Sequence, residues 1–554
     1  MASVWRVDAP DLQRARVLAG ALGVHPLTAQ VLLNRGLAEP SAAQRFLQPG
    51  LETLSDPAAL EEMDRAVERL RLAIARREPI TIFGDSDVDG LTASVILYEV
   101  LEDLGAVVRA RVSNRIAGGY GLPDTIVRSL AHSRTRLLVL VDCGTNQPEA
   151  IAQLAACGID TIIVDHHVPL AGWAKPHALI NPYRSQGAGR ELCSAGLAFK
   201  LAEALIGRTP PLETWLDLAA LGTLADCSPL VGDSRAIVVE GMARLMETQR
   251  PGLRELCQST GATTPDPERI LRRLTPRLNA SGRLGDATAV WHLLRRTSDT
   301  RLSAHLEENQ AAHATTKQLQ RQIIMEAEEQ VQRQHFRDQY VMVVSRSGWH
   351  QGLMGPLAAQ LAQRYGRPTI AIAMNETQGT GSGRSIPLFN LLDALKACQD
   401  VLMRFGGHAQ ACGLTVGREQ LEIFRAQVNT HARQALGSLG LVRTRRVDLE
   451  LTLDAVESSW VQEMERLAPF GQGNPRPTVV IRRVRIEARS PRLGALTDGT
   501  SRLAARGSFA DLGSEQWYDV VASPTMVNDD VVLAVSEVRE LPQGTKLPSV
   551  AAGL

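Results

Sequence analysis

Aromatic residues are scarce. Phe, Tyr and Trp make up 4% of the 554 residues, so extensive stacking on nucleic-acid bases is not an expected mode of binding. The seven cysteines (143, 157, 193, 227, 257, 398 and 412) are scattered with no C-x-x-C pair, which argues against a disulfide framework and against a cysteine zinc site. Most are expected to be small buried hydrophobes. No apolar run approaches the roughly 18 residues of a membrane span. The opening Met-Ala-Ser-Val-Trp-Arg lacks a secretion-signal pattern, so a cytoplasmic protein with no membrane partner is expected. Net charge is absent too: 60 basic residues balance 60 acidic ones, and only local clusters of charge can point to a phosphate-bearing partner. A chain that is 44% hydrophobic and 22% charged reads as globular, and its length is too great for one core.

One stretch organises the rest. Ile80-Thr81-Ile82-Phe83 suits a buried strand, and Gly84-Asp85-Ser86-Asp87-Val88-Asp89-Gly90 suits a tight loop with carboxylates at alternate positions. Three carboxylates this close repel one another at pH 7, so folding them together calls for a counter-charge, and a divalent cation with oxygen ligands is one. A solvated acidic turn closed by Asp-Gly is the alternative.

Taken in order, residues 1–76 read as a helical N-terminal arm packed on the domain after it. Leu18, Leu22, Leu27, Val31 and Leu32 recur at helical spacing, and Leu60, Met63, Ala66, Val67, Leu70 and Ile74 line one face of a further helix. Residues 77–245 alternate strands and helices: strands at Ile80–Phe83, Val107–Val112, Leu137–Val141 and Thr161–Val164, helices at 91–104, 148–157, 195–206 and 213–225. Wholly apolar strands alternating with helices predict a parallel sheet covered on both faces. Residues 246–335 read as a helical connector, with one long polar helix from Thr297 to Gln334. Residues 336–440 read as a second α/β domain and 446–545 as a small barrel or sandwich of short strands.

Three strands end in acid or imidazole: at Asp85, Asp87 and Asp89, at Asp142, and at Asp165-His166-His167. Parallel strands of one sheet bring their carboxyl ends to one edge, so these groups can converge. Asp226, ending the helix that carries Leu-Gly-Thr-Leu-Ala, adds a carboxylate. This pool can serve two cations sharing a bridging Asp, the arrangement that stabilises both entering and leaving oxygens in phosphoryl displacement. Mixed carboxylate and imidazole ligation suits Mn²⁺ better than Mg²⁺. In the second domain, Gly381-Ser382-Gly383-Arg384-Ser385 reads either as a phosphate nest or as a Gly-rich hairpin turn. Arg482, Arg483, Arg485, Arg489, Arg492, Arg502 and Arg506 form a basic cluster in the last domain, either a solvated face or a track for a phosphate backbone.

Gly-Asp-Ser-Asp-Val-Asp-Gly (84–90), Val-Asp-Cys-Gly-Thr (141–145), Val-Asp-His-His (164–167) and Leu-Gly-Thr-Leu-Ala-Asp (221–226) resemble the four motifs of the DHH phosphoesterases. Within that family the chain is most similar to the RecJ-like 5′→3′ exonucleases of single-stranded DNA. The likeness extends over residues 15–480 through Leu33-Asn34-Arg35-Gly36, Pro276 to Arg283, Trp349-His350, Gly406-Gly407-His408 and Pro469-Phe470-Gly471-Gln472-Gly473-Asn474-Pro475. It implies a DHH domain, a DHHA1-like domain and an OB-like barrel that guides single strands. It implies metal ligands at Asp87, Asp89, Asp142, His166 and Asp226 for two Mn²⁺ or Mg²⁺ ions, with Asp142 as the bridge. Asp85 and His167 match positions in or beside that shell, His167 as a phosphate contact or acid. Arg115, Arg283, Ser382 and Arg384, with His408 nearby, match a pocket for the strand's 5′-terminal phosphate. Single-strand-binding protein and a RecQ-like helicase are the partners the resemblance implies.

The chain departs from the usual pattern at Ser86, where an aromatic residue is common, at Asp233-Ser234-Arg235, and at Cys412 in place of Ala. None of these removes a ligand. Two other readings stand beside the exonuclease: a phosphodiesterase of short oligonucleotides or cyclic dinucleotides, and a non-catalytic single-strand-binding scaffold on the same fold. The basic last domain and long connector argue against the first, and the complete ligand set against the second.

Overall fold

The computed structural model describes residues 4–170, 172–297, 300–333, 339–437 and 444–542. The chain forms two compact units, one of residues Leu54–Ser228 and Ile237–Val442, the other of Met1–Thr53, Pro229–Ala236 and Arg443–Leu554.

The first unit holds two sheets. Strands β1 (Ile80–Gly84), β2 (Val108–Val112), β3 (Leu137–Val141), β4 (Asp160–Val164) and β5 (Ala178–Ile180) form a parallel sheet in the order β2-β1-β3-β4-β5. Its central strands are buried end to end, as their unbroken apolar runs require. Phe83, Leu138, Leu140 and Ile163 share one face with Leu130, Ile151 and Leu154 of two outer helices. Helices α1 (Val88–Asp103), α2 (Ser194–Ile206) and α3 (Leu216–Ala225) pack together, and α1 lies against β1 and β2. The chain passes from β1 to β2 on one side and returns to β3 on the other. The crevice at such a reversal, outside the carboxyl ends of the strands, is where open sheets bind ligands.

Two local expectations change. Residues 88–90 are not loop: α1 begins at Val88, with Asp87 as its cap, because the Asp87 side chain accepts the Gly90 N–H at 3.2 Å. A Cβ on Gly90 would lie 2.7 Å from the Asp85 carbonyl oxygen, so this glycine lets the first helical turn tuck under the strand end. The long connector helix is α5 (Leu302–Arg333), preceded by α4 (Thr275–Leu284). Its expected end at Gln334, and the expected domain boundaries at 335/336, 440 and 545, lie outside the described residues.

The second sheet contains β6 (Met342–Ser347), β7 (Thr369–Met374), β8 (Gln378–Arg384), β9 (Leu402–Gly407) and β10 (Ala411–Gly417) in the order β9-β10-β8-β7-β6. Only β6 and β7 run parallel. Gly381–Arg384 is therefore neither a nest nor a hairpin turn. It lies in the middle strand, where Ser382 stands opposite both Ala371 and Gly413, and its backbone is committed to the two ladders. Its glycines are there for close packing: a Cβ on Gly383 would lie 2.5 Å from Leu391 Cδ2. Ser382 and Arg384 can meet a phosphate only through their side chains.

In the second unit β11 (Leu449–Leu451), β12 (Val479–Ala488), β13 (Leu493–Thr497), β14 (Arg502–Arg506), β15 (Tyr518–Val527) and β16 (Asp530–Glu540) run in the order β11-β12-β13-β14-β16-β15. A further β12–β15 pairing closes five of them into an OB-like barrel. Its core of Ile481, Val484, Ile486, Val520 and Leu533 continues into Leu27, Val31 and Leu32 of the N-terminal helices. The N-terminal arm is thus divided: residues 1–53 complete the barrel's core, whereas the helix Met63–Ala75 packs on β5 and α2. The Leu33–Gly36 and Pro469–Pro475 segments meet here: Arg35 pairs with Asn474, and beside it Asn34 Nδ2 donates to Asp448 O at 2.8 Å. Arg235 is buried with its guanidinium on the carbonyls of Phe46 and Ala468, so the departure at 233–235 lies among structural contacts.

Candidate metal centre

Register brings the acids together. Gly84 pairs with Val141 and Val141 with Val164, so the loops carrying Asp85, Asp142 and Asp165-His166-His167 leave the sheet side by side. Asp226 caps the carboxyl end of α3. Three sets of side chains each offer one ligand atom per residue within 4.8 Å of one another: Asp89, His166 and Asp226; Asp142, His166 and His167; and Asp85, Asp87 and Asp142. His166 Nε2 is the hub, 3.4 Å from Asp142 Oδ1, 3.8 Å from Asp89 Oδ2 and 3.9 Å from Asp226 Oδ1.

Each ligand is held from behind. The first backbone N–H groups of α2 donate to Asp89, Ser194 N to Oδ2 at 2.9 Å and Ala195 N to Oδ1 at 2.7 Å. Ser194 Oγ donates to Asp142 Oδ1 at 3.0 Å, and Ser228 Oγ to Asp226 Oδ2 at 2.6 Å. Asp142 sits at φ +62°, in the left-handed region, and the Tyr120 hydroxyl donates to its carbonyl oxygen at 3.0 Å. Asp165 orients His167: their Oδ1 and Nδ1 are 2.7 Å apart. Burial opposes ionisation of Asp165, but His167 beside it holds its carboxyl well below the usual range. Asp165 is thus a partner of His167.

The electrostatics are those of a site built for added positive charge. Burial, then the neighbouring Asp226, pushes Asp89 up to about 6. Burial, then Asp87 and Asp89, raises Asp142 well above the carboxylate range. Burial opposes the charged form of His166, but its hydrogen bond to Asp142 and the charges of Asp226 and Asp89 lift it well above the ordinary imidazole value. Buried carboxylates and an imidazole that hold protons on their own fit divalent cations with oxygen and nitrogen ligands.

Asp85 differs from the others. Ser86 N (2.8 Å), Ser113 Oγ (2.6 Å) and Arg115 Nε all donate to it, so protein groups fill its lone pairs. Arg115 also reaches Asp87 Oδ2 at 2.8 Å. The Arg283 side chain has no hydrogen-bond partner among the described residues; burial, then the nearby Arg115 and Arg384, lowers it to about 10. Arg384 donates to Ser382 Oγ at 3.0 Å, and a Cβ on Gly355, in the first turn of α6 (Met354–Tyr365), would lie 3.1 Å from its Nη2. Burial lowers His408, and the charges of His167, Arg384 and His166 act in the same direction. All the predicted site residues of the first unit are therefore drawn into one neighbourhood. Of the seven barrel arginines, Arg482 is bound to Glu450 and Asp519, and Arg502 to Glu487. The Arg483 and Arg485 guanidiniums lie over the Trp517 ring, 5.1 and 4.6 Å from its centroid.

Sequence reasoning missed Tyr120, Ser194 and Ser228. Tyr120 had a faint signal in Gly118-Gly119-Tyr120-Gly121, where Gly119 and Gly121 take positive φ. Asn279, which lies in the Pro276–Arg283 motif, accepts the Val88 N–H at 3.1 Å and fixes the start of α1.

Residues 79–223 match the DHH family N-terminal domain, 338–434 the DHHA1 domain and 447–495 the RecJ OB domain. Fold and centre together are those of the DHH class of phosphoesterases. The single-stranded-DNA-specific exonuclease RecJ of Bacillus subtilis is 33% identical over 490 residues, 87% of this chain and 62% of that protein. The RecJ of Thermus thermophilus is 32% identical over 88% of this chain and 70% of its own length. The crystal structure of the latter in complex with Mn²⁺ superposes with a TM-score of 0.83 at 28% identity, covering 97% of this chain and 80% of that one. Its complex with Mg²⁺ gives 0.77 at 27% identity, covering 97% and 79%. The chain belongs to the RecJ family. It spans about three-fifths of the Bacillus subtilis relative. Among the described residues no single helix is long and apolar enough to cross a membrane.

Proposed function

We propose that the chain hydrolyses single-stranded DNA in the 5′→3′ direction, releasing 5′ mononucleotides. The observation that carries this reading is the juxtaposition of the Asp87, Asp89, Asp142, His166 and Asp226 set with the three guanidiniums of Arg115, Arg283 and Arg384. The first group is chemistry for a phosphodiester; the second is a receptor for a terminal phosphate beside it.

Asp87, Asp89, Asp142, His166 and Asp226 would hold two Mn²⁺ or Mg²⁺ ions, with Asp142 and His166 belonging to more than one set. Bound there, the ions supply Lewis-acid polarisation of the scissile phosphate and activation of water. The chain supplies the rest. Ser194, Ala195 and Ser228 aim the carboxylates, and Asp165 fixes the His167 ring through Nδ1, which leaves Nε2 for a phosphate oxygen or for proton delivery to the leaving oxygen. Arg283, Arg384 and Ser382 hold the 5′ phosphate and so set which end enters. Trp517 together with Arg483 and Arg485 gives the barrel an aromatic and charged platform for a single strand. Such an enzyme works in the cytoplasm on strands that a helicase of RecQ type exposes and single-strand-binding protein coats.

The test is a time course with Mn²⁺ on 5′- and 3′-labelled single strands, the matching duplex, and a dinucleotide. Early release of labelled mononucleotide from the 5′-labelled single strand is expected. Release of the 3′ label first, or turnover confined to the dinucleotide, refutes the reading.

A further inference from the structure

We propose that Arg115 is exchanged between two anions, Asp87 in the metal-free enzyme and the 5′ phosphate of the strand in the loaded one, so that ion binding and end recognition strengthen each other. This rests on the exonuclease reading and adds a linkage that the reading does not require.

The two carboxylates that Arg115 bridges are unequal. Asp85 is buried and takes Ser113 Oγ, Ser86 N and both Nε and Nη2 of Arg115, so it anchors one edge of the guanidinium whatever happens at Asp87. Asp87 is half-exposed. Its Oδ1 accepts the Gly90 N–H of the α1 cap and its Oδ2 faces Arg115, so a cation on Oδ2 meets the guanidinium directly. That oxygen is the one Arg115 Nη2 occupies, at 2.8 Å. A guanidinium and a divalent ion cannot both hold it without facing like charge at contact distance. The ion therefore breaks the bond from Nη2 to Asp87, while Nε and Nη2 both stay on Asp85.

The Nη2 hydrogen released from Asp87 has a second partner within reach. The Arg283 side chain lacks a hydrogen-bond partner among the described residues, and Arg384 donates only to the neutral oxygens of Ser382 and Gly383. Both cations lie close enough to Arg115 to repel it. An anion placed among the three relieves that repulsion and draws Arg115 from Asp87. Arg115 can move: its side chain is 40% exposed, and the short helix it opens (Arg115–Gly118) runs into Gly119 and Gly121, both at positive φ. Linkage then requires reciprocity: whatever factor the 5′ phosphate adds to ion affinity, the ion adds to phosphate affinity.

The experiment is a Mn²⁺ titration by calorimetry, with free Mn²⁺ checked by electron paramagnetic resonance, on the full chain. Wild type is compared alone, with a phosphorothioate oligonucleotide bearing a 5′ phosphate, and with the same strand bearing a 5′ hydroxyl. The phosphorylated strand should raise Mn²⁺ affinity about five- to tenfold more than the hydroxyl strand. Arg115→Gln, without DNA, should bind Mn²⁺ about fivefold more tightly than wild type, because the competitor at Asp87 is gone, and should show no difference between the two strands. Arg283→Gln loses the same charge without touching Asp87 and should gain less affinity than Arg115→Gln. Equal effects of the two strands on wild type overturn the exchange, and that measurement needs no variant. So does an Arg115→Gln affinity at or below wild type in folded protein, or an equal gain in Arg283→Gln. A wild type that binds Mn²⁺ and digests single strands but shows no linkage loses this inference alone. One that does neither loses the exonuclease reading as well.

Discussion

Asp142→Asn separates the charge of the centre from its shape. Asp142 is buried at φ +62°, and Asn is among the few residues that tolerate this backbone, so the substitution keeps conformation and volume. The amide oxygen can still accept from Ser194 Oγ. Only the negative charge is lost, and its effect has opposite signs with and without metal. In the metal-free protein Asp142 stands against Asp87 and Asp89 in a buried site, which with burial raises it well above the carboxylate range. Removing that repulsion should leave the melting temperature unchanged or higher. With metal the loss is large. A unit charge about 4 Å from another at an effective dielectric near 20 is worth about 4 kcal/mol, roughly a factor of 10³ in binding. Thermal scans with and without Mn²⁺, Mn²⁺ calorimetry and cleavage of a 5′-labelled strand give the three readouts. The variant should be as stable as wild type alone, gain no stability from Mn²⁺, and lose about 10³-fold or more in cleavage. Wild-type stabilisation by Mn²⁺ together with cleavage within tenfold of wild type would refute the assignment of Asp142 as a shared ligand.

Tyr120→Phe removes a hydroxyl that donates to the Asp142 carbonyl and also lies 3.0 Å from His167 Nδ1; with about 1 kcal/mol at stake, kcat should fall about fivefold while KM for the strand changes less than twofold. Mn²⁺ affinity should rise with pH between about 6 and 8, because Asp89, pushed up to about 6, and His166, held protonated above its ordinary value, must both lose protons to bind a cation. Lower pH therefore weakens binding, and calorimetry at pH 6.5 in buffers of different ionisation enthalpy should show net proton release; none would contradict the sign. Arg250 is buried against Glu99 and Asp217; Glu99 keeps Arg296, but Asp217 loses its cation, so Arg250→Met should cost about 3 kcal/mol, read as a lower urea midpoint, and adding Asp217→Asn should recover part of it.

How far the residues alone disclose the structure depends on the range over which each signal acts. The parallel sheet was legible because strands buried on both faces must be apolar throughout, as Ile80–Phe83 and Leu137–Val141 are. The acids at their ends were legible for the same reason: a parallel sheet fixes which ends meet. The destination of an apolar helical face was not, because the helical spacing around Leu27 or around Met63 says only that a face is buried; residues 1–53 go to the barrel and Met63–Ala75 to the first unit. Gly381–Arg384 misled because glycine serves equally for a turn and for close packing, and here Gly383 gives way to Leu391 in mid-strand. Ser194 and Ser228 left no pattern and Tyr120 only the glycines around it, since each acts through hydrogen bonds to atoms that tertiary structure alone brings near. Arg115 shows the limit most clearly. Its match to a phosphate pocket was visible in sequence, but its hold on Asp87 was not, and the proposed exchange rests on that second bond. A residue type can announce what it binds; which of two anions it binds first is decided by the distances the fold imposes on them.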